Sequence, residues 1–234
     1  MIKYSISAVI AAYNEQNNIL SLIKKTDGVL KQKNFDYEII VVNDGSQDNT
    51  LSILEELTLK YPRLKIINHT QNKGYGATVV SGLKASRYEL IFFTDGDNQF
   101  NVEEIDKLLL YIDNADLVAG YRVKRSDHFF RKINALAWNA LIRFLFKVKV
   151  KDLDCAFKLF RKAILEEMDL KKVKSQGAMI NAEILVRLKK INAKIIEVPV
   201  SHFYRKFGKQ TGASLKVIAK AFKELIMFYQ ELYS

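Results

Sequence analysis

The sequence is poor in the residues that staple or interrupt a chain. A single cysteine, Cys155, stands among 234 residues, so neither an intrachain disulfide nor a thiolate zinc cluster can form. A reducing, cytosolic compartment fits that usage best. There are only two prolines, Pro62 and Pro199, and no Gly/Ser-rich, low-complexity or repeated stretch, so no flexible linker is expected. No window approaches ~20 uninterrupted apolar residues, which argues against a bilayer-spanning helix. The N-terminal apolar run extends only from Ile6 to Tyr13. It lacks the charged lead, long apolar stretch and small-residue cleavage site of a signal peptide. The three histidines, His69, His128 and His202, are too scattered to suggest a metal trio.

What is present is an ordinary globular mixture, 49% hydrophobic and 27% charged, able to bury a sizeable core. The formal charge is +11, which invites a polyanionic partner, nucleic acid or an anionic membrane. The charge is unevenly spread. Residues 1–117 hold 12 basic and 16 acidic side chains, net −4, whereas residues 118–234 hold 25 and 10, net +15. The two halves therefore face different partners.

Apolar runs alternate with helical patterns through the first half. Strands are expected at 5–12, 37–42, 64–68, 90–94 and 116–119, and helices at 17–31, 48–60, 74–86 and 102–113. Such alternation predicts an α/β fold with a mainly parallel sheet covered by helices on both faces. Ligands of these sheets sit at the carboxyl ends of the strands. There the polar clusters lie: Tyr13-Asn14-Glu15, Asp44, and Asp95-Gly96-Asp97. Beyond residue 120 the spacing predicts a basic loop at 122–131, a helix over 133–148, a short strand at 157–160 and a helix at 181–190. A strand at 194–203, a basic loop at 204–213 and an amphipathic helix over 214–233 follow.

Asp95 and Asp97 offer two hard oxygen donors in a turn, suited to Mg²⁺ or Mn²⁺, although an isolated Asp-Gly-Asp is more often a solvated turn. Gly96 would let backbone and ligand approach closely. Asn43-Asp44-Gly45-Ser46 reads either as a turn with a helix cap or as a carboxylate facing a nucleobase edge. Gly74-Tyr75-Gly76 opens a helix without phosphate-loop or Gly-x-Gly-x-x-Gly spacing, which weakens a nucleotide triphosphatase or a dehydrogenase. Cys155 reads as a core residue.

Four segments occur in a telling order: Ala8-Val-Ile-Ala-Ala-Tyr-Asn-Glu15, Ile40-Val-Val-Asn-Asp-Gly-Ser46, Asn72-Lys-Gly-Tyr-Gly-Ala77 and Phe93-Thr-Asp-Gly-Asp-Asn-Gln99. Together they resemble the glycosyltransferase family 2 domain of the GT-A fold, over roughly residues 3–215. The second half resembles the polyprenyl-phosphate, dolichol-phosphate mannose synthase-like branch. That likeness runs through Ala119-Gly-Tyr-Arg122, Arg131, Asp154-Cys-Ala-Phe-Lys-Leu-Phe-Arg161, Glu183, Glu197-Val-Pro-Val200 and residues 204–214. His202 and Thr211-Gly212 depart from the branch pattern.

The resemblance implies an inverting, metal-dependent transferase using a nucleotide-sugar donor (GDP-mannose or a UDP-sugar) and Mg²⁺ or Mn²⁺. Ala12, Tyr13, Glu15, Asp44, Lys73 and Gly96 would line the donor site. Asp95, Asp97 and Gln99 would serve the metal, and Arg122, Arg131, Arg205 and Lys206 an acceptor phosphate. A phosphate acceptor is already anionic and needs no strong base. A sugar hydroxyl would need one, and Asp154 and Glu183 are the candidates. The domain is expected to span 1–214, with a nucleotide-sugar half at 1–117 and an acceptor half at 118–214, followed by an amphipathic helix at 215–234.

The apolar stripes of 133–148 and 214–233, flanked by lysines and arginines, suit either an anionic interface or packing on protein. The first is read as the membrane element. The expected partners are thus a nucleotide sugar, a polyprenyl phosphate and an anionic membrane surface met from the cytoplasmic side, with a homo-oligomer or a separate membrane subunit left open. The alternative is a family 2 enzyme acting on a saccharide hydroxyl. A nucleic-acid-binding module is remote, because it leaves the acidic crevice unexplained and no nucleic-acid motif is present.

Overall fold

In a computed structural model the described residues are 4–123, 129–208 and 215–233, with 129–132 and 215–216 described at the backbone only. The apolar runs of the first half become β1 (Ser5–Ala12), β2 (Asp36–Asn43), β3 (Leu64–Asn68) and β4 (Leu90–Asp95). β1, β2 and β4 are rich in β-branched or aromatic residues and buried along almost their whole length, as suits strands covered on both faces, whereas β3 at the sheet edge is only partly buried. Between them lie α1 (Ile19–Gln32), α2 (Thr50–Lys60) and α3 (Tyr75–Ala85). The second half adds α4 (Ile105–Ile112), β5 (Leu117–Arg122), α5 (Phe129–Phe146), β6 (Phe157–Arg161), α6 (Lys162–Met168), α7 (Ile180–Lys190), β7 (Ile195–Val200) and α8 (Leu215–Tyr233).

The seven strands form one sheet in the order β3-β2-β1-β4-β6-β5-β7. Pairing is parallel except at β6, which runs antiparallel to both β4 and β5. The chain winds outward from β1 to β2 and β3, then returns to place β4 on the other side of β1. That reversal opens a crevice at the carboxyl ends of β1 and β4. The core is continuous along the sheet, with Ile6, Val9, Ile39, Phe92, Phe157 and Leu185 among its buried side chains.

Several boundaries differ from the sequence expectation for identifiable reasons. The 102–113 segment starts as a 3₁₀ turn, Val102–Glu104, whose Asn101 side chain accepts from the Glu103 amide. The last strand ends at Val200 rather than 203; it lies at the sheet edge, where Pro199 is tolerated. The helix expected over 133–148 begins at Phe129 and ends at Phe146, followed by Lys147 at φ 53°. α6 is too short to show a helical period, and the sequence reading did not anticipate it.

The final helix packs on protein along one side. Ala221, Leu225 and Phe228 are buried, Phe228 lies against Phe146, and Trp138 meets Phe222 edge to face. Glu231 takes Arg187 at 2.7 Å and Lys174 at 2.9 Å, and Glu224 accepts from the amides of Gln176 and Gly177. The outer faces of both helices remain apolar and exposed, with Leu136 and Phe144 on α5 and Ile226 and Met227 on α8. Among the described residues no helix is long and apolar enough to cross a membrane.

Candidate active site

The walls of the crevice are two loops zipped together. After β1, Asn14 turns the chain at φ 56°. Its amide donates to the Ser46 hydroxyl, and its side-chain oxygen accepts from the Gln47 amide. The Glu15 amide donates to Thr50 Oγ1, and the Gln16 amide to Asp48 Oδ2. Side chains thus satisfy loop amides that strand pairing leaves free. Ala12 is buried beneath this loop and Tyr13 is half-buried beside it.

Asp44 closes the next wall. Its Oδ1 accepts from the Lys73 amide at 2.9 Å and meets His69 Nδ1 at 2.7 Å, while Oδ2 accepts from the Gly74 amide at 2.9 Å. The far nitrogen of His69 lies 3.0 Å from the Ser81 hydroxyl. One carboxylate therefore ties the end of β2 to the start of α3, and His69 braces it from beneath. Gly74 takes φ 98° where the chain turns into α3, a value that strains any other residue. Sequence reading set His69 aside; its pairing with Asp44 spans 25 positions and leaves no local signal. The Lys73 side chain is exposed. A polar pocket of about 340 Å³ lies behind this wall, lined by Asn43, Ser46, Asn68, Gln71 and Asn72 among others.

The Asp95-Gly96-Asp97 turn forms the floor. The Gly96 amide donates to Ala11 O at 2.8 Å, and a Cβ there would stand 2.8 Å from the same oxygen, so Gly96 lets the turn press against β1. Asp95 Oδ1 accepts from the Tyr75 hydroxyl at 2.9 Å. Burial, together with the neighbouring Asp97 charge, pushes the Asp95 carboxyl up to about 7. Burial beside Asp95 in turn lifts the Tyr75 phenol well above its usual range. Asp97 Oδ1 accepts from the Gln99 amide at 3.1 Å. Gln99 gives its side-chain NH₂ to Phe203 O, while its own carbonyl accepts from the Phe203 amide. That double bond pins the loop after β7 onto the turn.

From this loop Arg205 reaches back. Its Nη2 contacts Glu15 Oε1 at 2.6 Å and its Nη1 lies 3.5 Å from Asp97 Oδ2. Glu15 also accepts from Asn18 at 2.7 Å; burial raises its carboxyl above the ordinary value against these two partners. A guanidinium thus sits among the carboxylates of the crevice. Lys206 beside it is exposed.

The other expected residues are placed differently. Arg122, at the end of β5, closes its fork on Asp152, Nε at 2.6 Å and Nη2 at 2.7 Å. Burial alone would pull its pKa down, but the Asp152 carboxylate holds it above the usual value. Glu183 is fully buried and accepts from the amides of Lys174 and Ser175 and from Arg187 Nε. It holds the 174–176 loop, whose Gln176 carbonyl accepts the Gly76 amide at the start of α3. The Arg131 side chain and residues 209–214 lie outside the described residues. Lys158, the second residue of β6, was not singled out from the sequence; it is buried and donates to Leu153 O, Cys155 O and Asn181 Oδ1.

Among the described residues no cluster of three or more His, Cys, Asp or Glu could by itself enclose a metal. Two carboxylates on one turn nevertheless fit a hard divalent cation that keeps water and substrate phosphate oxygens as its other ligands. The guanidinium drawn against Glu15 and Asp97 shows that the crevice attracts positive charge.

Residues 7–169 match the family described as glycosyl transferase family 2. The chain belongs to that family. This family 2 chain is 32% identical over 209 residues to a dolichyl-phosphate beta-glucosyltransferase of Trichomonas vaginalis, covering 82% of this chain and 62% of the relative. It is 31% identical over 218 residues to an undecaprenyl-phosphate 4-deoxy-4-formamido-L-arabinose transferase of Enterobacter sp. (strain 638), covering 92% of this chain and 64% of the relative. The chain thus spans a little under two thirds of the length of these curated relatives. Its architecture is GT-A. Glucosyl-3-phosphoglycerate synthase of Mycobacterium tuberculosis superposes with a TM-score of 0.74 at 17% identity, covering 97% of this chain and 81% of that one. A further structure of that synthase holds Mn²⁺, UDP and phosphoglyceric acid. The Pyrobaculum calidifontis mannosyltransferase PcManGT, solved with GDP-Man and Mn²⁺, superposes with a TM-score of 0.66 at 14% identity, covering 97% of this chain and 65% of that one.

Proposed function

We propose that this protein is an inverting glycosyltransferase that moves a sugar from a nucleotide-sugar donor to a polyprenyl phosphate at a membrane surface. The observation that carries the reading is the Asp95–Asp97 turn on the floor of the β1/β4 crevice, walled by Asp44 and Glu15, in a chain whose curated relatives are named for dolichyl and undecaprenyl phosphates. Ala12, Tyr13, Asp44 and the Lys73–Gly74 backbone form the nucleoside wall. Asp95 and Asp97 would hold a divalent cation, Mg²⁺ or Mn²⁺, which would offset the charge of the departing diphosphate. Gln99 serves that site by anchoring the Phe203 loop above it.

An oxygen of the acceptor phosphate forms the new bond to the anomeric carbon as the bond to the diphosphate oxygen breaks on the opposite face. The leaving nucleoside diphosphate takes the electron pair. No proton has to be removed from an ionised phosphate, so no general base is required. The side chains fit this. Glu183, which a hydroxyl acceptor would call on as a base, is buried and consumed by two backbone amides and Arg187. Arg205, Lys206 and Arg131 supply the positive charge that meets the phosphates. Arg122 acts through Asp152, holding the 152–155 turn beneath the acceptor's place.

The exposed apolar faces of α5 and α8, with Arg143, Lys220 and Lys223 alongside, rest on the anionic surface that presents the lipid. The test is a panel of UDP- and GDP-sugars incubated with polyprenyl phosphate and Mg²⁺ or Mn²⁺. A chloroform-soluble, metal-dependent product supports the reading; no product with any donor rejects it.

A further inference from the structure

We infer that Lys158, Asn181 and Tyr75 form a buried positioning relay that fixes the Asp95 carboxylate from behind. The inference rests on the reading of Asp95 as a metal-holding carboxylate and extends it to side chains from three other elements.

The sheet brings the parts to one face. Lys158 of β6 is the antiparallel register partner of Phe93 of β4, so their side chains share a face. Asp95 follows Phe93 by two residues and projects to that same face. The Tyr75 ring, from the first turn of α3, covers Phe93 edge to face at 6.4 Å. Asn181, from the first turn of α7, lies beside it and is buried.

The hydrogen bonds then run in one direction. The Lys158 ammonium has three protons and spends them on Leu153 O, Cys155 O and Asn181 Oδ1, the last at 3.1 Å. With its oxygen so engaged, the Asn181 side chain has only its NH₂ left to offer, and its influence on Tyr75 favours the ionised phenol, as a neighbouring donor does. The Tyr75 proton goes to Asp95 Oδ1, 2.9 Å away. The carboxylate loses its freedom to rotate. A buried ammonium is costly to desolvate, and a methionine would fill much the same volume without that cost. The charge is therefore what needs a reason, and orienting Asn181 and Tyr75 supplies one. Partners of this kind behind a metal ligand commonly alter metal affinity tenfold or more.

The test is Mn²⁺ binding, followed by the loss of the free-ion paramagnetic resonance signal, in the presence of UDP and separately of GDP. Wild type is compared with Tyr75→Phe, Lys158→Met, the double variant and Asp97→Ala, with the melting temperature of each recorded. The relay predicts that each single variant weakens Mn²⁺ binding about tenfold and that the double variant is no weaker than the worse single one. Should Lys158→Met fail to fold, Tyr75→Phe with Asn181→Leu forms the same cycle. Wild-type affinity in a folded Tyr75→Phe, or losses that simply multiply in the double variant, would overturn the relay while leaving Asp95 a ligand. If wild type binds no Mn²⁺ with either nucleotide, the metal reading falls and the relay with it.

Discussion

Arg205 and Glu15, 190 positions apart in sequence, meet at 2.6 Å across the mouth of the crevice, and the same guanidinium reaches to 3.5 Å from Asp97. A fixed positive charge therefore lies where the proposed reaction brings a metal ion and a diphosphate. Arg205 is carried on a loop held down by the Gln99–Phe203 pair of hydrogen bonds.

A like charge at the metal's place competes with it. In the absence of nucleotide, Arg205→Ala is expected to bind Mn²⁺ about tenfold more tightly than wild type, a coupling of ordinary size. Turnover should fall at least tenfold, because the same arginine is then missing when the phosphates arrive. Calorimetric titration with Mn²⁺ and an initial-rate assay check the two halves. Weaker Mn²⁺ binding would contradict the competition.

His69 reaches the donor wall only through Asp44. Removing the imidazole in His69→Ala takes away the 2.7 Å contact to Asp44 Oδ1 and leaves the Lys73 and Gly74 amides to hold the carboxylate alone. The expected result is a five- to tenfold rise in KM for the nucleotide sugar with kcat within about twofold, the mark of lost uniform binding. His69→Asn, which keeps a donor near the same point, should recover part of it. An unchanged KM would make His69 a packing residue.

Stability should respond to acid through Glu38. This carboxylate is buried between β1 and β2 and meets Ser7 Oγ at 2.6 Å, Lys65 at 2.7 Å and the Arg87 amide at 3.0 Å. Burial alone would raise its pKa, but these partners outweigh burial and hold it below the ordinary value. The carboxylate therefore stabilises the fold above its unfolded pKa of about 4.3, and that contribution disappears as pH falls through the lower folded value. Glu38→Gln should cost about 1–3 kcal/mol at pH 7. Its deficit against wild type should shrink below about pH 4, as read from denaturant midpoints. A deficit independent of pH would remove the charge from the explanation.

Much of the fold was legible because the first half obeys local rules. Ser5–Ala12, Asp36–Asn43 and Leu90–Asp95 are mainly apolar runs bounded by turn residues, and each became a buried strand. The clustering of Glu15, Asp44 and Asp95 followed from the rule that parallel strands present their carboxyl ends together. The antiparallel insertion of β6 between β4 and β5 was not legible, since Phe157–Arg161 states no direction. Partner choice was equally hidden. Nothing near Arg122 announces that Asp152 will close its fork, and nothing near Glu183 announces the Lys174 and Ser175 amides. One signal was available and unused: Lys158 interrupts an apolar core strand, and a charge in that position asks for a compensating network. The α8 stripe was readable as amphipathic, but only packing divides it into a side buried on α5 and α7 and a side left exposed.

The central claim is transfer of a sugar onto a lipid phosphate by a centre that depends on the Asp95–Asp97 turn. The most direct measurement is the partition of labelled sugar into chloroform after incubation with polyprenyl phosphate, run side by side for wild type and Asp97→Ala. Label in the organic phase for wild type, lost in the variant and on chelation of divalent metal, is the predicted result. Label that appears only on water-soluble saccharide acceptors, or organic-phase product undiminished in Asp97→Ala, would contradict the account.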